Sequence, residues 1–87
     1  MSKGFDALLT FPTTFVFRII ANNNKDHQES YKKALQPIFS VIDHFEVLPS
    51  TSGRFVRVHI TVMAKNAEQI YAGYDALKLC EGIKMVF

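Results

Sequence analysis

Apolar and polar positions along the chain form four short stretches with the character of β-strands. The first runs from Thr13 to Ala21, where Phe, Val and Ile predominate, and Pro12 is acceptable at the start of a strand. Further stretches follow at His44 to Pro49, at Arg54 to Ala64 and at Ile83 to Phe87. In the third stretch apolar residues occupy alternate positions, which is typical of a strand with one buried face. The pattern therefore predicts four strands.

An amphipathic helix is predicted between the first two strands. It begins near Asp26, because Asp26 and Glu29 have the spacing of a capping box. Pro37 deletes one backbone hydrogen bond and clashes with the preceding turn, so we expect a kink there or a helix that ends and restarts. The apolar face repeats at helical spacing and consists of Tyr31, Leu35, Ile38, Phe39 and Ile42.

A second helix is predicted from Ala67 to about Leu79, between the third and fourth strands. Asn66 is its expected N-cap, with Gln69 in the capping-box position. Gly82 suits the end of this helix. Its apolar face consists of Ala67, Ile70, Tyr71, Tyr74 and Leu77.

The resulting order β-α-β-β-α-β predicts an α+β fold, the ferredoxin-like sandwich of a four-stranded antiparallel sheet with two helices on one face. The right-handed crossover rule places the first and third strands in the centre of that sheet. With 87 residues the chain predicts one domain, in which residues 1–11 form a short N-terminal extension. The sheet face opposite the helices, called the open face below, is where we look for function.

The direction of each strand residue follows from the parity of the apolar positions. The inward set is Phe15, Phe17, Ile19, Phe45, Val47, Val56, Val58, Ile60, Val62, Ile83, Met85 and Phe87. The open-face set is Thr14, Val16, Arg18, Ile20, His44, Glu46, Leu48, Phe55, Arg57, His59, Thr61, Lys84 and Val86. A four-residue loop from Ser50 to Gly53 then pairs Leu48 with Phe55, Glu46 with Arg57, and His44 with His59.

Composition narrows the class of protein. Hydrophobic residues make up 48% and charged residues 21%, the balance of a folded domain, and a net charge of +2 is too small to indicate a partner. No stretch is long and apolar enough to span a bilayer, and the N-terminus does not have the pattern of a secretory signal. We therefore expect a cytoplasmic protein in which the single cysteine, Cys80, is a free thiol.

Three interpretations of the open-face charges compete. The plainest is a cross-strand ion pair between Glu46 and Arg57, worth ~0.2–1 kcal/mol. Another is anion binding by the cations Arg18, Arg57 and Lys84. A third is metal binding by His44 and His59, although the sequence places no third ligand beside them, so an opposed structural pair fits better and no metal site is predicted.

The turn between the second and third strands offers a further anion site. Backbone amides around Ser50, Ser52 and Gly53 have the composition of an anion-binding nest. A polar hairpin turn explains the same residues without any ligand.

Nucleic-acid binding is the alternative function, because RNA-recognition motifs share this strand order. It would use Arg18, Arg57, Lys84 and Phe55. Phe55 is the one aromatic residue assigned to the open face, and the segment around it lacks the consensus of the RNA-binding third strand.

No catalytic pattern is present: the chain has no phosphate-binding loop, no serine elbow and no zinc signature. The sequence therefore predicts no enzyme and no cofactor. The first hypothesis is a non-catalytic regulatory or adaptor module that binds a protein partner or a small effector through the open face or a sheet edge. Because Lys84 discourages pairing at the last strand, we expect a monomer or a weak dimer.

Three segments resemble one family of small bacterial proteins. Residues Leu8 to Phe15 are similar to the opening of the YbeD-like, or lipoate-regulatory-like, proteins, and the hairpin from Pro49 to Phe55 and the ending Met85 to Phe87 are similar to theirs. The resemblance implies a ferredoxin-like fold close to that of ACT regulatory domains, and a bacterial cytosolic protein without an established activity. ACT domains bind amino acids at the first strand-to-helix turn, usually with a glycine, whereas the turn from Ala21 to Lys25 has none.

Overall fold

The strands and helices of the computed structural model, which describes residues 10–50 and 53–87, follow the predicted order. The elements are β1 (Thr13–Asn22), α1 (Lys25–Leu35), β2 (Ile42–Pro49), β3 (Phe55–Ala64), α2 (Ala67–Lys78) and β4 (Ile83–Val86). Most of the predicted N-terminal extension, residues 1–9, lies outside the described residues.

The four strands form one antiparallel sheet in the order β2-β3-β1-β4. The two central strands pair without interruption from Thr13 opposite Ala64 to Asn22 opposite Phe55. The predicted ferredoxin-like arrangement, with the first and third strands in the centre, is therefore confirmed. No helix in the described part of the chain has the length and apolar character needed to cross a membrane.

The core lies between the sheet and both helices. Phe17 is fully buried, and its ring packs edge-on against three other aromatic rings, with centroid distances of 5.0 Å to Phe15, 5.1 Å to Tyr74 and 5.8 Å to Phe39. Edge-to-face pairs of this kind add about 0.5–1.5 kcal/mol each to the burial of their area. The abundance of phenylalanine thus serves the core. Its fully buried large side chains are Tyr31, Phe17, Phe39, Ile19, Leu35, Ile60, Ile70, Leu77, Val58 and Val62.

Helix α1 begins at Lys25, because its N-cap is Asn24, two residues before the expected Asp26. The Asn24 side-chain oxygen accepts hydrogen bonds from the backbone N–H groups of Asp26 and His27, at 2.9 and 3.1 Å. An extended residue with a short polar side chain is what the first free N–H groups of a helix require.

The end of α1 is set by Pro37. The helix stops at Leu35, whose carbonyl accepts from the N–H groups of both Ile38 and Phe39 at 3.0 Å. The sequence predicts a kink at Pro37 or a helix that ends and restarts. The helix does end there, but it does not restart, because the chain passes through a turn into β2. Ile42, assigned to the helical face, is instead the first residue of β2.

Helix α2 has the predicted N-cap. The Asn66 side chain accepts from the N–H of Gln69 at 2.9 Å, and the Gln69 side chain accepts from the N–H of Lys65 at 2.7 Å. The amide nitrogen of the same Gln69 donates to the carbonyl of Ile38 at 2.9 Å. Gln69 therefore joins the start of α2 to the turn that follows α1.

The register of the β2–β3 hairpin differs from the prediction by two residues. Glu46 lies opposite His59 rather than Arg57, and Leu48 lies opposite Arg57 rather than Phe55. The hairpin closes one residue further along the chain than assumed, because the N–H and hydroxyl groups of Ser50 both donate to the carbonyl of Phe55, at 3.2 and 2.6 Å. A shift of two leaves every side chain on its predicted face.

Strand β4 contradicts the predicted parity. Ile20 pairs with Met85 but the next residue of β1 pairs with Ile83, so a bulge leaves Lys84 as the extra residue. An inserted residue reverses the faces beyond it. Met85 and Phe87, expected in the core, are 51% and 52% exposed, while Val86, expected on the open face, packs against the core.

Candidate functional site

One row of side chains crosses all four strands on the open face. Glu46 on β2 lies opposite His59 on β3, which lies opposite Arg18 on β1. Phe87, the residue that directly follows β4, exchanges two backbone hydrogen bonds with Arg18, at 2.7 and 3.3 Å. Directly opposed residues have Cβ atoms about 4.5–5.5 Å apart. The row therefore runs from an acid through an imidazole and a guanidinium to an exposed aromatic ring.

A second row runs beside the first and is mostly apolar. Leu48 lies opposite Arg57, Arg57 lies opposite Ile20, and Ile20 lies opposite Met85. Arg57 and Arg18 are therefore diagonal neighbours on the two central strands, at a separation that a single small anion can bridge.

The two rows enclose a shallow depression of about 340 Å³ in the middle of the open face. Its lining residues are Arg18, Ile19, Ile20, Arg57, His59 and Phe87. Three of the predicted site residues, Arg18, Arg57 and His59, are thus brought together. Phe87 joins them because the β4 bulge turns it outward, and the apolar parity of the sequence gave no sign of that bulge.

The guanidinium groups of Arg18 and Arg57 are available to an anion. Both side chains are exposed, and within the described residues neither forms an ion pair with a carboxylate. The predicted Glu46–Arg57 pair is wrong, because the shifted register brings Glu46 to His59. The Glu46 carboxylate instead approaches Nε2 of His44 at 3.7 Å, with both side chains well exposed.

The predicted opposition of His44 and His59 is also wrong, since His44 lies opposite Thr61. Across residues 10–50 and 53–87 no three His, Cys, Asp or Glu side chains converge as a metal site requires. The two histidines therefore belong to different parts of the open face, and only His59 lines the depression.

Lys84 and Phe55 contact each other away from the depression. The ammonium nitrogen of Lys84 lies 5.7 Å from the centroid of the half-buried Phe55 ring, within the range of a cation–π interaction. Phe55 lies opposite Asn22, and Phe87 pairs with Arg18 from the other side of β1, so the two rings are offset by four residues, roughly 13 Å along β1, and also lie two strands apart. The predicted set Arg18, Arg57, Lys84 and Phe55 is thus divided between two places.

The hairpin turn uses its polar groups internally. The N–H of Gly53 donates to the carbonyl of Ser50 at 3.2 Å, and the carbonyl of Gly53 accepts from the Asn23 side chain at 2.9 Å. Ser52, the third residue of the predicted anion nest, lies outside the described residues. The contacts of Ser50 and Gly53 are those of a hairpin turn tied to the β1–α1 connection.

A separate polar group lies where α1 meets the α2–β4 loop. The Tyr31 hydroxyl donates to the carbonyl of Glu81 at 2.8 Å, and the Cys80 thiol donates to the carbonyl of Ala76 at 3.5 Å. Burial raises the pKa of the Cys80 thiol. Burial also raises the pKa of the Tyr31 hydroxyl, and the charge of the nearby Cys80 thiolate raises it further. A thiol held in its protonated form is a poor nucleophile. The contacts of Tyr31 and Cys80 therefore fit a structural role.

Comparison with known proteins places the sequence and the fold in context. The family described as "Protein of unknown function (DUF493)" matches residues 6–87. A UPF0250 protein from Erwinia tasmaniensis is 28% identical over 86 residues, which is 99% of each chain. The solution structure of protein HP0495 from H. pylori superimposes with a TM-score of 0.67 at 12% identity, over all of this chain and 93% of the other. At that identity the structural likeness concerns the fold alone.

Proposed function

The chain belongs to the DUF493 family of proteins of unknown function, and we propose that it is a cytoplasmic, non-catalytic regulatory module that binds a small anionic effector on the open face. The observation that carries the proposal is the depression in which the guanidiniums of Arg18 and Arg57 border the apolar side chains of Ile20 and Phe87. A carboxylate or phosphate attached to an apolar body matches these two kinds of surface.

The strength of such binding can be bounded. A hydrogen bond to a charged group contributes about 1.5–3 kcal/mol, and the anion meets guanidiniums from two strands. The apolar body gains about 25 cal/mol for each Å² that it and Phe87 remove from water. After the cost of association, a shallow site of this kind corresponds to dissociation constants of about a millimolar to a micromolar. That range suits an effector that reports a metabolite concentration.

The test is a titration of the ¹⁵N-labelled protein followed by backbone chemical shifts. Phenylacetate supplies an anion with an apolar body, and inorganic phosphate supplies the charge alone. We expect the amide signals of Arg18, Arg57 and Phe87 to shift more with phenylacetate than with phosphate. Arg18→Gln and Arg57→Gln should each weaken binding, whereas Lys78→Gln, which removes an exposed charge from α2 on the helix side, should not.

The proposal fails if a panel of such anions leaves the open-face amides unchanged at millimolar concentration. It also fails if Lys78→Gln weakens binding as much as Arg57→Gln, because the attraction would then reflect net charge rather than a site.

Nucleic-acid binding is the second candidate, and one observation favours it. The exposed Phe87 joins the half-buried Phe55 on the open face, so two rings rather than one are available for stacking. Their separation of roughly 13 Å along β1 does not suit adjacent stacked bases, and the Phe55 ring already contacts Lys84. A short single-stranded oligonucleotide titrated at low and high ionic strength decides between the candidates. Binding that falls steeply with salt supports nucleic acid, since phosphate contacts release counterions.

A further inference from the structure

The outer edge of β2 is an open hydrogen-bonding edge. β2 is a terminal strand of the sheet, and within residues 10–50 and 53–87 no strand pairs with its outer side. The opposite edge is formed by β4, which has four residues, a bulge and Lys84. β2 has eight residues, and its protecting features lie at its ends, with an irregularity near Ile42 and a proline at Pro49. Its middle remains suited to pairing.

The ladder identifies which backbone groups face outward. The N–H of Ser50 donates to the carbonyl of Phe55, and in an antiparallel pair the hydrogen-bonded residues recur at every second position. The residues of β2 that bond to β3 are therefore Leu48, Glu46 and His44. The N–H and C=O groups of Phe45 and Val47 point away from the sheet. These are the groups that an added strand would use.

A groove beside this edge supplies side-chain contacts. It has a volume of about 340 Å³ and runs between α1 and β2. Its lining residues are Glu29, Lys32, Lys33, Gln36 and Phe45. The three α1 positions and the C-cap Gln36 have the i, i+3, i+4, i+7 spacing of one helix face. Two lysines and one glutamate therefore stand above the half-buried ring of Phe45, the residue whose backbone faces outward.

We propose that the outer edge of β2 and this groove together bind an extended peptide segment of a partner protein, as an added fifth strand. Alternate side chains of such a strand point toward the helix layer. One of them is apolar and packs on Phe45, and the next on that side is acidic and meets Lys32 and Lys33. This surface is separate from the open-face depression, so it stands or falls independently of the proposed effector site.

The charges favour this occupant over a second copy of the chain. If β2 paired with β2 of another copy, the residues turned toward the helix layer beyond the irregularity would be Phe45, Val47 and Pro49, which carry no carboxylate, while Asp43 lies at the irregularity itself. Glu46 lies on the open face beside His44 and does not approach the lysines. An acidic peptide pairs with Lys32 and Lys33. In a dimer formed through β2, the two lysines of each copy would instead face apolar side chains of the other copy.

The test uses two capped synthetic peptides on the full-length ¹⁵N-labelled protein. In the first, threonine occupies every second position, and valine and glutamate alternate at the positions between them. In the second, lysine replaces each glutamate. We expect the acidic peptide to shift the amide signals of Phe45 and Val47 and to bind about tenfold more tightly than the basic one at low ionic strength. Equal binding of the two peptides would overturn the proposal.

Two sets of variants separate the backbone and charge contributions. Val47→Pro removes an outward N–H without removing a bond to β3, so it should abolish binding of the acidic peptide, whereas Val47→Ala keeps the N–H and should retain it. Lys32→Glu with Lys33→Glu changes exposed helix positions, which leaves the fold unaffected, and should weaken binding about tenfold or more. Retained binding in either the folded Val47→Pro variant or the lysine variant contradicts the proposal. So do shifts confined to the open face, or a dimer detected by sedimentation that the Val47→Pro change dissociates.

Discussion

The aromatic ring of Phe17, on β1, lies directly against the backbone of Gly73, on α2. A Cβ atom built on Gly73 would lie 2.5 Å from Cζ of Phe17, and two further ring atoms would lie within 3.2 Å. Phe17 is fully buried and held between Phe15, Phe39 and Tyr74, so its ring has no free space into which to move. The absence of a side chain at position 73 therefore sets how closely α2 packs on the sheet.

Gly73→Ala should destabilise the protein even though alanine is the better helix former. The gain in helix propensity is about 1 kcal/mol, whereas overpacking a rigid core costs typically ~1–3 kcal/mol, so we expect a net loss of up to ~2 kcal/mol. Urea denaturation measures it. Ala72→Gly, at the exposed neighbouring position, gives the propensity contribution alone. A Gly73→Ala variant that is more stable than the wild type would show that the Phe17 ring can yield.

Gly82→Ala should cost more than Gly53→Ala. Both glycines have positive φ, 83° and 73°, which costs a residue with a Cβ roughly 1–2 kcal/mol. At Gly82 the new Cβ would also lie 2.6 Å from Nδ1 of His27, whereas at Gly53 it meets no atom within 4 Å. Thermal unfolding of the two variants gives the difference. Adding His27→Ala to Gly82→Ala should recover part of the loss, and no recovery would place the strain elsewhere.

Stability should fall above about pH 9 in a way that depends on Cys80. Burial raises the pKa of the Cys80 thiol above its ordinary 9.0. The Cys80 thiol therefore ionises at a lower pH in the unfolded chain than in the folded protein. Its contribution to the free energy of unfolding is fully present below about pH 9 and is lost as the pH rises through the raised pKa of the folded state. The difference in free energy of unfolding between wild type and Cys80→Ala should be constant below about pH 9. Above that pH, the wild type should lose stability relative to Cys80→Ala. A constant difference up to pH 11 would contradict the assignment.

Glu46→Gln should strengthen anion binding in the open-face depression. The Glu46 carboxylate lies two strands from Arg18, or about 10 Å, where a charge in water contributes ~0.4 kcal/mol. Its removal should therefore lower the dissociation constant of phenylacetate about twofold, while stability changes by less than ~1 kcal/mol because the His44–Glu46 pair is exposed. Glu68→Gln, on the first turn of α2, is the matched control. If Glu46→Gln and Glu68→Gln lowered the dissociation constant equally, the effect would come from net charge and not from the position of Glu46 beside the depression.

The fold could be predicted from the sequence because patterns among neighbouring residues specify where each strand and helix lies. Alternation in β3 identified the buried face from Val56 to Val62, and Asn66 with Gln69 marked the start of α2, as the structure confirms. A proline interrupts a helix whatever surrounds it, so Pro37 marked the region where α1 ends. These features depend on residues close in the chain.

The composition of the open face was only partly predictable. Arg18, Arg57 and His59 fall on it by strand periodicity alone, and an error of two residues in the β2–β3 register did not change their face. The same error did change their partners, since Glu46 lies opposite His59 instead of Arg57. Register depends on how the hairpin loop closes, which is decided by contacts such as those of Ser50 with Phe55.

The sequence by itself thus determined the order of the elements, the central pair of strands and the cationic residues of the open face, because side-chain direction in a strand repeats every two residues. The tertiary structure alone decided which residues meet there. A bulge at Lys84 turns Phe87 toward Arg18, and the register sets Glu46 beside His59. Bulges and registers minimise the energy of two strands together, so neither strand's own pattern contains them.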